Sequence, residues 1–188
     1  MESLEKFWLV DPLDGTKEFI KKSGEFTVNI ALIQAGRPIL GVVHCPVTGI
    51  TYSAESGQGA WRQDKDGPFT AIHARKADAA ALAVVASRDH AGPRVSKMLA
   101  RMPGAELASV GSSLKFCLVA EGKADVYLRD LPTMEWDTAA AQCVVEAAGG
   151  QVLTLDGNAL SYRKPEMRNP AILTIGDPAF PWRQYILD

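Results

Sequence analysis

The segment Asp11-Pro12-Leu13-Asp14-Gly15-Thr16 places two carboxylates three residues apart, directly after the apolar run Phe7-Trp8-Leu9-Val10. Pro12 fixes its own φ and pushes Asp11 towards an extended backbone, and Asp14-Gly15 is a strong turn signal. Gly15 also lets the backbone approach a ligand closely. The residues therefore predict two carboxylates converging in a tight turn at the end of a strand. Mg2+ prefers oxygen ligands, keeps several waters and is usually held by one or two carboxylates together with a substrate phosphate, which suits Asp11, Asp14 and the Leu13 carbonyl. Thr16 to Lys22 reads as a helical turn whose free N–H groups, with that of Gly15, would face the same anion. On spacing alone, a surface hairpin is the more ordinary reading, because Asp-Gly between apolar runs is common.

A second carboxylate, Asp137, stands in Glu135-Trp136-Asp137-Thr138-Ala139-Ala140-Ala141. It reads as the N-cap of an Ala-rich helix over Thr138–Ala148 that ends at Gly149-Gly150. A carboxylate at a helix start after a strand and loop also lies where α/β folds gather ligands. A third stretch, Gly111 to Gly122, reads as a capped amphipathic helix. Ser112 or Ser113 would cap it, Leu114, Cys117 and Leu118 would face the core, and Gly122 would end it.

The elements that must position these groups fall into two halves, 1–80 and 81–188. Strand signals at Phe26–Ile33, Ile39–Cys45, Ile50–Ala54, Gly59–Gln63 and Phe69–His73, joined by short Gly/Pro links, predict an antiparallel meander. The pattern then alternates: strand Leu82–Ala86, helix Pro93–Arg101, strand Glu106–Val110, helix Ser113–Glu121, strand Asp125–Leu128, the helix after Asp137, strand Gln151–Leu155 and a last strand Ala171–Ile175. This predicts an α/β half with a mostly parallel sheet and covering helices. Ala77 to Ala81 reads as a hinge between the halves.

With 188 residues and 47% hydrophobic content, the chain can bury a proper core. A net charge of −2 with scattered Lys and Arg gives no footprint for a nucleic acid polymer or an anionic membrane. The apolar runs are short and interrupted, so neither a membrane span nor a signal peptide is expected, and the cytoplasm is the expected location. Cys45, Cys117 and Cys143 read as reduced core thiols, and His44, His73 and His90 have no partner at metal-ligand spacing.

Phe7 to Phe19 closely resembles the signature of the lithium-sensitive, Mg2+-dependent phosphomonoesterases of the inositol monophosphatase family, and Lys17-Glu18-Phe19 looks like its 3'(2'),5'-bisphosphate nucleotidase branch. Trp136-Asp137-Thr138-Ala139-Ala140 and Gly111 to Gly122 are similar to two further blocks of that branch, in the right order. The resemblance implies a layered αβαβα sandwich and two or more Mg2+ ions held by Asp11, Asp14, the Leu13 carbonyl and Asp137, with Li+ as an inhibitor. It further implies that Gly15 and Thr16 orient the phosphate, that Thr16 polarises the attacking water, and that Ser113 and Lys115 reach a phosphate or the adenosine. The implied reaction is removal of the 3'-phosphate of adenosine 3',5'-bisphosphate to give AMP, with the sulfated analogue as a related substrate, in sulfate assimilation. An inositol or sugar phosphatase would use the same three aspartates. A non-catalytic metal-binding or dimer-forming remnant is the reading from another class.

Members of this family carry a portion before the Asp-Pro-Leu-Asp strand that includes a metal-ligating glutamate, whereas Met1 lies ten residues before Asp11. Glu2 and Glu5 stand too near the strand to match that glutamate. A fragment, a mis-assigned start codon and a natural truncation relying on self-association each fit. Since a general base typically contributes ~10²–10⁴-fold in rate, these residues alone are expected to be weakly active or inactive.

Overall fold

The computed structural model describes residues 6–86 and 92–186, so Glu2, Glu5 and His90 lie outside the described residues. The elements in chain order are β1 (Lys6–Asp14), α1 (Thr16–Lys21), β2 (Thr27–Gln34), β3 (Arg37–Cys45), β4 (Ile50–Glu55), β5 (Gly59–Asp64) and β6 (Phe69–Ile72). They continue with β7 (Ala83–Ala86), α2 (Pro93–Ala100), β8 (Glu106–Ser109), α3 (Leu114–Ala120), β9 (Val126–Arg129), β10 (Thr133–Met134) and α4 (Glu135–Ala147). The last are β11 (Gln151–Thr154), β12 (Arg168–Asn169), β13 (Ile172–Ile175) and α5 (Arg183–Ile186).

Strands β2 to β6 form the expected antiparallel meander, and β1 adds itself at one edge to give the order β1-β2-β3-β4-β5-β6. Period-2 alternation decides its inner face: Thr27, Asn29, Ala31 and Ile33 of β2 are buried, and the residues between them are only partly so. β1 runs further than the sequence suggests, because Asp11 to Asp14 belong to the strand rather than to a turn after it. The ladder loses register between Asp11 and Asp14. Pro12 lacks a ladder donor, and an edge strand with an irregularity is where a sheet accepts proline. The turn begins at Gly15, whose φ of 89° is the left-handed conformation that favours glycine.

The second sheet has the order β11-β13-β9-β7-β8. β7 pairs parallel to β8 and β9, whereas β13 pairs antiparallel to β9 and β11, so the expected mostly parallel sheet is mixed. The cause is connectivity. A parallel neighbour needs a crossover, which α2 and α3 supply; no helix intervenes between β11 and β13, so the chain returns in the opposite direction.

Helices α3 and α4 lie between the sheets. One core joins the inner face of the meander (Ala31, Ile33, Val43, Tyr52) to these helices (Phe116, Val119, Ala140, Val144) and to Val85, Tyr127 and Ile172 of the second sheet. A second core joins the opposite face of that sheet to α2 through Val95 and Met98, and to Trp182. The described residues thus form four layers of the expected five: sheet, helices, sheet, helices. Trp8 and Val10 are exposed on the outer side of the meander. Gly41 sets the height of α4 above β3: a Cβ there would strike the Ala140 carbonyl oxygen and lie 2.8 Å from Cys143 Cβ. The three cysteines are free and buried, as expected.

Candidate metal and phosphate site

Two elements bring the three carboxylates together. Asp11 and Asp14 come from the irregular end of β1, and Asp137 comes from the first turn of α4. Asp137 is not the expected N-cap. The helix starts earlier, at Glu135, so Asp137 is its third residue, and its carboxylate reaches back to accept the Met134 N–H at 2.7 Å. One oxygen each from Asp11, Asp14 and Asp137 lies within 4.8 Å of the others, the one such group of potential metal ligands among the described residues.

Mutual repulsion shows in the proton affinities. Burial, followed by the charges of Asp14 and Asp11, pushes the Asp137 carboxyl up to about 6 against the Met134 N–H. Asp11 is likewise raised, by burial first and then by Asp14, despite accepting the Leu13 N–H at 3.0 Å. Three crowded carboxylates with hard oxygen donors fit a divalent cation.

Asp14 is held differently. Its Oδ2 accepts the Ser113 N–H at 2.7 Å and lies 2.6 Å from Ser113 Oγ, 3.2 Å from Asn29 Nδ2 and 3.3 Å from Thr27 Oγ1. Ser113 stands at the start of α3 without capping that helix through its side chain. Beside the carboxylates opens a cavity of about 260 Å³ lined by Asp14, Gly15, Thr16, Ser113, Lys115 and Asp137, and by residues the sequence did not single out, including Arg129, Thr133 and Tyr127.

Gly15 and exposed Thr16 thus form one side of this cavity, at the start of α1. Leu13 stands outside its wall. Lys115 is buried, donates to the Val110 carbonyl at 3.1 Å and lies 5.7 Å from the Tyr127 ring centre. Burial pushes its pKa down to about 8, and the charge of Asp14 acts against that shift. The cavity wall therefore carries both acidic groups, Asp14 and Asp137, and basic ones, Lys115 and Arg129. Arg129 left no local signal, since one arginine at a strand end resembles any other. Asn29 did leave one: it is a polar residue in the inward row of β2, next to Ala31 and Ile33.

This fold and site define a class. The model of the inositol monophosphatase family matches residues 2–176, and the chain belongs to that family. Among curated relatives, the 3'(2'),5'-bisphosphate nucleotidase CysQ of Escherichia coli K12 is 51% identical over 162 residues, which cover 86% of this chain and 64% of the relative. The chain thus spans less than two thirds of that protein's length. The crystal structure of CysQ from Bacteroides thetaiotaomicron superposes with a TM-score of 0.84 at 42% identity, covering 91% of this chain and 70% of that one. Inositol monophosphatase II of Staphylococcus aureus gives a TM-score of 0.81 at 21% identity, covering 99% and 68%, and shares the fold.

Proposed function

We propose that this chain carries the phosphate-hydrolysing site of a 3'(2'),5'-bisphosphate nucleotidase that acts on adenosine 3',5'-bisphosphate to give AMP. The observation that carries the reading is the meeting of Asp11, Asp14 and Asp137 beside a cavity with Lys115 and Arg129 in its wall. The resemblance of 51% to the Escherichia coli nucleotidase supports the choice of substrate. Asp11, Asp14, Asp137 and the Leu13 carbonyl are the groups assigned to divalent cations, Mg2+ in the first instance. Bound there, Mg2+ supplies Lewis-acid polarisation of the phosphoryl group and offsets charge on the attacking and leaving oxygens.

The protein's own groups do the rest. The backbone of Gly15 and Thr16 orients the phosphate to be cleaved, and the Thr16 hydroxyl aligns the attacking water. Lys115 faces the remainder of the nucleotide. The sulfated analogue fits the same assignment, as do Li+ competition at a Mg2+ position and a cytoplasmic role in sulfate assimilation.

The test is phosphate release from adenosine 3',5'-bisphosphate and, in parallel, from inositol 1-phosphate. It is run on this chain and on a version extended to the relatives' length, each with an Asp14→Asn control. Mg2+-dependent release from the nucleotide in preference to the inositol ester, lost in the control, is the expected result. Equal turnover by the two lengths would refute the expected weakness of these residues alone. Release that survives Asp14→Asn, or none from either length, would overturn the reading.

A further inference from the structure

Asn29 has no role in the site as read from the sequence, yet it is 1% exposed and sits against Asp14. Its Nδ2 donates to Asp14 Oδ2 at 3.2 Å and to Ser113 Oγ at 2.9 Å, while its Oδ1 is buried without a partner. Its neighbours in the inward row of β2 are Ala31 and Ile33 on one side and Thr27 on the other. An apolar residue would suit that row better for folding alone, since a buried acceptor without a hydrogen bond is destabilising. The orientation of the amide has a reason: reversed, it would set Oδ1 against the Asp14 carboxylate.

Ser113 completes the arrangement. Although part of the cavity wall, it is 1% exposed, and its Oγ meets Asp14 Oδ2 at 2.6 Å, the Asp137 carbonyl at 2.9 Å and Asn29 Nδ2. A hydroxyl with one hydrogen and two lone pairs has little left for a ligand. The four donors to Asp14, from Thr27, Asn29 and Ser113, all fall on Oδ2, and Oδ1 accepts from none of them. The donors come from β2 and the start of α3, both anchored in the core.

We infer that Asn29 and Ser113 are positioning residues that fix the Asp14 carboxylate and thereby set divalent-cation affinity, Ser113 acting through Asp14 rather than on the substrate. This rests on reading the aspartates as a metal site. Partners that orient a metal ligand typically change affinity ~10–100-fold when removed.

The test is titration of the 188-residue chain with Mn2+, an oxygen-seeking octahedral probe, with free ion read by electron paramagnetic resonance. Asn29→Leu and Ser113→Ala are each measured beside the unaltered chain, and thermal unfolding is followed without metal. Roughly tenfold weaker Mn2+ binding in both variants is expected, with the metal-free unfolding temperature of Asn29→Leu held or raised. Affinity within twofold of the unaltered chain, with or without a drop in unfolding temperature, would overturn the positioning role while leaving the metal site standing. Absence of Mn2+ binding by the unaltered chain would overturn the metal reading and this inference with it.

Discussion

Glu135 and Asp137 stand two residues apart in the first turn of α4, and their surroundings put them in opposite states. Glu135 is 1% exposed and accepts the Lys164 ammonium at 2.6 Å and the backbone N–H groups of Arg163 and Lys164 at 2.9 and 3.0 Å. Burial pushes its carboxyl up, yet the Lys164 and backbone donors bring it below its ordinary value. Asp137 has the Met134 N–H and two other carboxylates as neighbours, and is raised to about 6. A buried carboxylate supplied with a cation by the chain holds the fold together. One supplied with further carboxylates is open to a cation from solution.

The largest test of this contrast is Lys164→Met. It leaves Glu135 buried without its cation, and breaking such a pair costs about 3–5 kcal/mol, measurable by urea unfolding at neutral pH. Because the folded-state affinity of Glu135 for protons is lowered, the pair stabilises the protein above the ordinary value of 4.5, and the contribution is lost as pH falls below it. The gap between the two proteins should therefore narrow in acid.

Asp137→Asn should act in the opposite sense. The metal-free protein gains stability at neutral pH because a repulsive charge is gone, while Mn2+ affinity falls roughly 100-fold, about 2.7 kcal/mol at ~1.36 kcal/mol per decade. Loss of stability in this variant would break the comparison.

A smaller effect comes from pH. Asp137 binds its proton more tightly when folded, so metal-free stability should decline as pH rises from the ordinary value of 3.8 through about 6. Over the same range a proton competes with the cation, and Mn2+ affinity should drop about tenfold per pH unit below 6. A flat affinity between pH 5 and pH 7, a window of about two units, would mean that Asp137 does not contact the ion.

The smallest effect is expected at Arg37 and Glu146, paired at 3.0 Å with side chains 44% and 27% exposed. Arg37→Ala should cost no more than about 1 kcal/mol in thermal unfolding, since solvent screens such pairs. A larger loss would show that pairing itself, rather than burial, distinguishes Glu135.

Much of this organisation was legible in the chain. The meander followed from period-2 strands joined by short Gly/Pro links, and α1 from Thr16 onwards followed from the Asp14-Gly15 turn signal. Asp11, Asp14 and Asp137 each have an ordinary use by type and spacing, a hairpin turn or a helix cap, and stood out through the resemblance of their segments to the family's motifs. Errors fell where local rules compete. Asp137 fits an N-cap by type, but the helix begins at Glu135, and the side chain's reach back to Met134 is a matter of register.

The order of the second sheet was not local at all. β13 lies between β9 and β11, and both of those strands are distant from it in sequence. Asn29 announced itself as a polar residue in an apolar row, without naming its partner.

By itself, the sequence determined the strand and helix periods, the turn at Gly15 and the chemical types able to hold a cation, because these depend on neighbours within a few residues. Tertiary structure alone decided that Asp14 meets Ser113, 99 positions away, and that Asp137 faces Asp11 and Asp14 rather than a lysine. Those choices depend on how β1, the start of α3 and the start of α4 pack against one another, and no local pattern of residues encodes that packing.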